Sequence, residues 1–169
     1  MTLYEACLQS FDCHQGAVRA VRFNVDGSYC MTCGSDRKIK LWSPYKCILL
    51  KTYAGHGQEV LDVAGSCDSS QLVSCGADKL VIAWDVSTGQ AVRRLRGHAS
   101  RVSCVRYNEE SSVAISGSHD NSVMIWDLRS RSVDPMQVYI EVICQIKVSL
   151  FDWGPIFDHR TPCFNGMVL

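Results

Sequence analysis

The sequence has no surplus of charge: seventeen Lys and Arg stand against seventeen Asp and Glu. That balance argues against bulk attraction to nucleic acid or to a membrane surface and leaves room only for local patches. No charged-then-apolar leader opens the chain, so no secretory signal is expected. The longest apolar run, Val138 to Phe151, is broken by Glu141 and Lys147 and is too short to span a bilayer. No segment holds a helical period. There is no G-x-S-x-G elbow and no phosphate-cradling glycine loop. A C-x-x-C occurs once, Cys30-Met-Thr-Cys33, without a second pair at zinc spacing. Strand alternation would aim its two thiols at opposite faces. No metal, no cofactor and no catalytic residue are expected.

Ten cysteines are nevertheless present, at positions 7, 13, 30, 33, 47, 67, 75, 104, 144 and 163. Most fall inside apolar strand patterns, where free Cys acts as a small hydrophobe. That usage fits a reduced intracellular core better than a disulfide framework. The 169 residues, 47% apolar and 20% charged, suit one soluble globular domain.

What organises the chain is a repeat of 42 residues. Trp42, Trp84 and Trp126 lie on one grid, as do His14, His56 and His98, and Asp36, Asp78 and Asp120. A fourth column is Thr32, Ser74 and Ser116. These residue types belong together chemically. A half-buried indole N–H needs an acceptor. A hydroxyl accepts from it and donates onward to an imidazole, whose second nitrogen meets a carboxylate. Such a chain satisfies every buried polar group, whereas a partly satisfied one is costly. The expected tetrads are His14, Thr32, Asp36, Trp42; His56, Ser74, Asp78, Trp84; and His98, Ser116, Asp120, Trp126. The first copy is eroded: Cys13 replaces the Gly before His, and Ser43 the Asp after Trp.

Gly-His, then Asp, then Trp-Asp, at a period inside the range of about 40–45 for a four-stranded blade, resembles the WD-repeat β-propeller family. The resemblance implies an all-β fold: a partial β-propeller of three four-stranded blades plus a non-repeat C-terminal tail. The units are 1–12 (an N-terminal outer strand), 13–54, 55–96, 97–138 and the tail 139–169. Expected strands in the first copy are Ala17 to Phe23, Tyr29 to Cys33, Ile39 to Trp42 and Cys47 to Tyr53, preceded by Glu5 to Phe11. The second copy repeats them, with Leu80 to Trp84 and Gln90 to Arg96. The third gives Val102 to Tyr107, Val113 to Ser116, Val123 to Trp126 and Arg129 to Val133. Beyond that the grid fails: Ile140, Asp158, Pro162 and Val168 stand where His, Ser or Thr, Asp and Trp are due. The expectation is a chain that leaves the repeat frame near Met136, as a truncated form of a longer repeat protein. Two bare blade faces then invite self-association.

His, Ser and Asp recurring together invite a hydrolase reading, but each trio is tied to a Trp and repeated three times, which fits a structural network. Arg93, Arg94, Arg96, Arg101 and Arg106 cluster around the third Gly-His. An acidic partner or an RNA backbone is one reading, and a solvated strand protected from edge pairing is the favoured one. Candidate partner contacts are the loop residues Gln15, Gly57, Gln58, Ser100 and Arg101, together with Arg129. Trp126-Asp-Leu-Arg129 resembles the WD-x-R box of propellers that serve as substrate receptors for cullin-type ubiquitin ligases. The stretches Gly16-Ala-Val-Arg-Ala-Val-Arg-Phe-Asn-Val-Asp-Gly27, Thr32-Cys-Gly-Ser-Asp36 and Ile115-Ser-Gly-Ser118 resemble the mitogen-activated protein kinase organiser family of WD-repeat scaffolds, over about Phe11 to Pro135. That resemblance implies a non-enzymatic, cytoplasmic and nuclear adaptor whose protein partners are kinase-cascade or pre-mRNA splicing components.

Overall fold

The computed structural model describes residues 12–130, 132 and 134–140. Among them there is no helix, and twelve strands form three four-stranded antiparallel sheets. The first blade is β1 (Val18–Phe23), β2 (Cys30–Gly34), β3 (Lys38–Ser43) and β4 (Ile48–Ala54). The second is β5 (Val60–Gly65), β6 (Gln71–Gly76), β7 (Leu80–Asp85) and β8 (Ala91–Arg96). The third is β9 (Val102–Tyr107), β10 (Val113–Ser118), β11 (Ser122–Asp127) and β12 (Gln137–Ile140). Each blade is a meander, with β1, β5 and β9 as the innermost strands, and β5 packs between β1 and β9. This is the all-β, partial-propeller architecture that the repeat implies.

Local chemistry sets the turns. In the β1–β2 turn Gly27 adopts φ +72°, and its repeat partners Ser69 and Ser111 take the same left-handed conformation at 59° and 54°. The β2–β3 turns do likewise at Arg37, Lys79 and Asn121. The Asp after Trp caps the next turn: Asp85 Oδ1 accepts from Ser87 Oγ at 2.6 Å and Thr88 N at 2.7 Å. Asp127 Oδ1 accepts from Arg129 N at 2.9 Å. Side-chain acceptors of this kind fix Asx-type turns.

The third blade departs from expectation at its outer edge. Its fourth strand is Gln137–Ile140, not Arg129 to Val133. Arg129 and Ser130 belong to the Asp127-capped turn, and Pro135 has no N–H to give a ladder. The strand therefore starts late and pairs Ser122 with Ile140, where Lys38 pairs with Ala54 and Leu80 with Arg96. The displacement is two residues, so alternation survives: Tyr139 lies opposite Val123 as Tyr53 lies opposite Ile39. Blade three thus extends to Ile140, past the boundary drawn at 138. The expected strand Glu5 to Phe11 and the tail from 141 lie outside the described residues.

The core sits in the seams between blades. In the first seam Met31, Cys33, Ile39 and Tyr53 of blade one meet Val60, Val63, Leu72, Ile82 and Trp84 of blade two. The rings of Tyr53 and Trp84 meet edge-on at 5.8 Å, a favoured aromatic geometry. In the second seam Val73, Cys75, Val81 and Leu95 meet Val102, Val105, Ala114, Met124 and Trp126. Each blade therefore has a leading face, which carries the Trp, and a trailing face. Bulges at the starts of β1 and β5 fit this division. On the face of blade one that meets no described blade the same columns are exposed. Val18 and Val21 are 41% and 49% exposed, while Val60, Val63, Val102 and Val105 are at 0%.

Polar links cross the same seams. Lys51 Nζ donates to Val86 O at 3.0 Å and Ser87 O at 2.5 Å. Arg93, its repeat partner, donates to Asp127 O and Leu128 O, both at 3.1 Å. On the innermost strands Asp62 is shared by all three blades. Its Oδ1 lies 3.0 Å from Arg22 Nη2, and its Oδ2 lies 2.5 Å from Arg106 Nη1.

Candidate interaction surface

The tetrads of blades two and three form continuous relays. Trp84 Nε1 donates to Ser74 Oγ at 2.8 Å, and Ser74 Oγ lies 2.8 Å from His56 Nε2. His56 Nδ1 lies 2.9 Å from Asp78 Oδ2. One proton per link satisfies the chain if His56 is neutral with its proton on Nδ1. Asp78 also accepts from Gly57 N at 2.8 Å and Leu80 N at 3.3 Å. Blade three repeats this: Trp126 Nε1 to Ser116 Oγ at 2.8 Å, Ser116 Oγ to His98 Nε2 at 2.8 Å, His98 Nδ1 to Asp120 Oδ2 at 3.0 Å.

The electrostatics follow from this burial and pairing. Burial lowers the His98 pKa, outweighing the opposing pull of Asp120. Burial acts to raise the Asp78 and Asp120 carboxyls, yet their hydrogen bonds win and hold both below the usual carboxylate range. For Asp120 the donors are Ser122, Ala99 and His98. Ser74 and Ser116 are fully buried, so neither hydroxyl is reachable as a nucleophile. Burial likewise raises the Cys33 thiol to about 12 and holds the Cys75 thiol well above its ordinary value. Thiols so raised are poor nucleophiles. The seven described cysteines are all free. Among the described residues no group of three or more His, Cys, Asp and Glu is placed to hold a metal.

Blade one corrects two expectations. His14 does not join its tetrad: its side chain is 78% exposed, with Nδ1 3.2 Å from Asp12 Oδ2. Gln15 takes the place instead and is 2% exposed, so it is not an available partner contact. Gln15 Oε1 accepts from the Thr32 hydroxyl, which in turn accepts from Trp42 Nε1 at 2.8 Å. Gln15 Nε2 donates to Asp36 Oδ1 at 3.1 Å and to Lys38 O at 3.1 Å. An amide carries an acceptor and a donor, as the imidazole does, but it does not titrate.

The cause lies one residue upstream. A Cβ on Gly55 would lie 2.9 Å from Trp84 Cη2, and one on Gly97 would lie 3.1 Å from Trp126 Cη2. Cys13, in that column, has a Cβ and cannot follow the same path. Lys40, replacing Ile82 and Met124 of the grid, donates from Nζ to Cys13 O at 2.6 Å and His14 O at 3.2 Å. The loop is displaced and the next residue enters. Cys13 in a glycine column was the available signal.

The remaining contact candidates fall on two edges of the sheets. Gly57, Gln58, Ser100 and Arg101 follow the buried histidines in the β4–β5 and β8–β9 loops. Gly57, Gln58 and Arg101 are exposed and Ser100 is half-buried. Strand direction puts exposed Arg129, in the β11–β12 connection, at the opposite edge. The arginine cluster is likewise dispersed. Arg93 is tied to blade three, Arg94 Nη1 donates to Gly55 O at 2.9 Å, and Arg106 is held by Asp62.

Blades of four antiparallel strands, packed face to face and each closed by a relay from Trp through a hydroxyl to a carboxylate, by way of an imidazole in blades two and three and of the Gln15 amide in blade one, define a propeller segment of the interaction-repeat class. The family model for the WD domain, G-beta repeat, matches residues 5–43, 47–85 and 89–127, and the chain belongs to the WD-repeat family. Its similar proteins include WD repeat domain-containing protein 83 of Xenopus laevis, 76% identical over 55 residues, 32% of this chain and 18% of that protein. The Homo sapiens protein of the same name is 70% identical over 59 residues, 35% of this chain and 19% of that protein. A Dictyostelium discoideum homolog is 36% identical over 61 residues. The matched stretch is thus under a fifth of the relatives' length, and it is shorter than the span from Phe11 to Pro135. No helix of the described residues is long and apolar enough to cross a membrane.

Proposed function

We propose that the chain is a non-enzymatic scaffold that presents loops on rigid blades to other proteins. The observation that carries this reading is the division of labour within the second and third repeats. In blades two and three the reactive-looking Ser, His and Asp are consumed in sealed relays, while Gly57, Gln58 and Arg101, which follow the buried histidines, stand in exposed loops. Loops on a rigid frame are where recognition resides. The resemblance of residues 16–27, 32–36 and 115–118 to mitogen-activated protein kinase organisers supports kinase-cascade or pre-mRNA splicing components as the partners, met in cytoplasm and nucleus. The same likeness supports reading the chain as a shortened form of a longer propeller. Its bare columns at Val18 and Val21 then make a second copy a further partner.

A second reading, a substrate receptor of a cullin-type ubiquitin ligase, rests on Arg129, whose side chain is 71% exposed. Affinity capture of the tagged full chain with mass spectrometry decides between them. Kinases or splicing factors are expected, along with a differently tagged copy of the chain itself. Dominance of a cullin adaptor moves the assignment to the ligase reading, and absence of any specific protein removes the scaffold reading.

A further inference from the structure

The two seams are built from the same columns, but they are not filled alike. In the second seam Tyr107, at the end of β9, packs with Leu128 against the core between blades two and three. The residue of the same column in blade two is Gly65, which brings no side chain. Val86, the counterpart of Leu128, is in place in the first seam. Larger neighbours take up part of the missing volume, since Met31, Leu41 and Leu72 stand where the second seam has Val73, Ala83 and Ala114. A cavity of about 310 Å³ remains, open to solvent and lined by Tyr29, Met31, Leu41, Leu50, Leu72 and Val86. Tyr29 and Leu50 are 41% and 46% exposed. A Cβ on Gly65 would meet only the flexible ends of Met31, at 3.4 and 3.7 Å, and of Leu72, at 3.8 Å.

The turns that flank this cavity carry three carboxylates. Asn24 and Ser69 line it, with Asn24 Nδ2 donating to Ser69 Oγ at 3.1 Å across the seam. Their turns carry Asp26 and Asp68, and Asp85 immediately precedes the lining residue Val86. Two lysines stand on the outer-strand side. Lys51 has its ammonium engaged by Val86 O and Ser87 O, and Lys46 lies in the β3–β4 turn.

We infer that the outer part of the blade-one–blade-two seam is a docking pocket for an aromatic side chain of a partner protein, flanked in the partner's sequence by basic residues. The occupant fills the volume that Tyr107 fills in the next seam, and its cations meet Asp26, Asp68 and Asp85. The inference rests on the scaffold reading and adds the chemistry of one partner.

The test uses the full chain with methyl-labelled Met, Leu and Val, titrated with a capped Arg-Phe-Arg tripeptide. Saturable shifts are expected at the methyls of Met31, Leu41, Leu50, Leu72 and Val86. Arg-Ala-Arg should bind about tenfold more weakly, the loss expected for an unburied ring. Glu-Phe-Glu should also bind more weakly, and added salt should weaken Arg-Phe-Arg. Gly65→Tyr should fill the first seam as Tyr107 fills the second and abolish the shifts. Should that variant not fold, Leu50→Gln, at an exposed lining position, should weaken binding in its place.

Equal affinity for Arg-Ala-Arg, or unchanged binding by folded Gly65→Tyr or by Leu50→Gln, overturns the pocket. So does the absence of saturable shifts. Equal affinity for Glu-Phe-Glu overturns the basic partner. Partners captured equally by the parent and by Gly65→Tyr remove the pocket while leaving the scaffold reading intact.

Discussion

Replacing Asp78 with Ala tests whether the relays carry stability. Three donors lose their acceptor: His56 Nδ1, Gly57 N and Leu80 N. They are not equivalent. The His56 side chain is 1% exposed, so its N–H is stranded at a cost of about 1–3 kcal/mol. Gly57 is exposed and water replaces the carboxylate there. Leu80 N, half-buried at 3.3 Å, adds about 0.5–1 kcal/mol. The sum, about 1.5–4 kcal/mol, is a large share of a domain stability of about 5–15 kcal/mol. Urea unfolding should show a lower midpoint at unchanged slope, since the surface exposed on unfolding is the same. In a double-mutant cycle with His56→Ala the two losses should fall short of additivity by about 1 kcal/mol or more, as for residues in one network. An Asp78→Ala chain that unfolds at the parent's midpoint and loses only partner binding would falsify the structural assignment.

Two further outcomes are expected. The folded-state pKa of His98 is depressed, so below its unfolded value of about 6.5 the unfolded chain takes up a proton that the folded chain refuses. Its contribution is fully present above that pH and is lost as pH falls toward the folded pKa, with a slope no steeper than about 1.4 kcal/mol per unit. The depressed carboxyls Asp78 and Asp120 add to the loss only below about pH 4. His98→Gln should flatten the stability profile between about pH 7 and 5, and an unchanged slope in that window, followed by urea midpoints, counts against His98 as its source. Thiol accessibility should follow burial: under native conditions Cys67, which is exposed, should alkylate first, and Cys33 and Cys75 only on unfolding. Peptide mass mapping that finds Cys75 modified early would contradict the packing of the second seam.

The parts of the fold that were legible in the sequence share one physical property. Trp, Ser, His and Asp are unlike one another, each link needs its own chemistry, and a copy every 42 residues makes the requirement visible at Ser74, Asp78 and Trp84. Gln15 was hidden because an amide reproduces the imidazole's donor and acceptor from a position one residue off the grid. The late start of β12 was hidden because a displacement of two leaves the hydrophobic alternation intact. Gly65 reads as an ordinary strand glycine until Tyr107 is seen to occupy the equivalent space. Asp62 has Ala20 and Cys104 as its column mates, so no periodicity marks it. Lys51 and Arg93 do share a column, but surface cations are common, and only the carbonyls of the facing turns give the pair a role.

Repeats of equal length are prone to gain and lose units when copies recombine out of step. A loss of 42 residues that joined blade one directly to blade three would keep a sealed relay in each survivor and an apolar face on either side of the new seam. It would not keep Asp62. Arg22 and Arg106, now held by one carboxylate, would lose the anion between them, and partly buried charges stripped of their partner are unfavourable. The middle blade is therefore not an interchangeable module. One aspartate on the innermost strand gives a lineage of otherwise similar repeats a reason to retain that copy, and to retain it between those two neighbours.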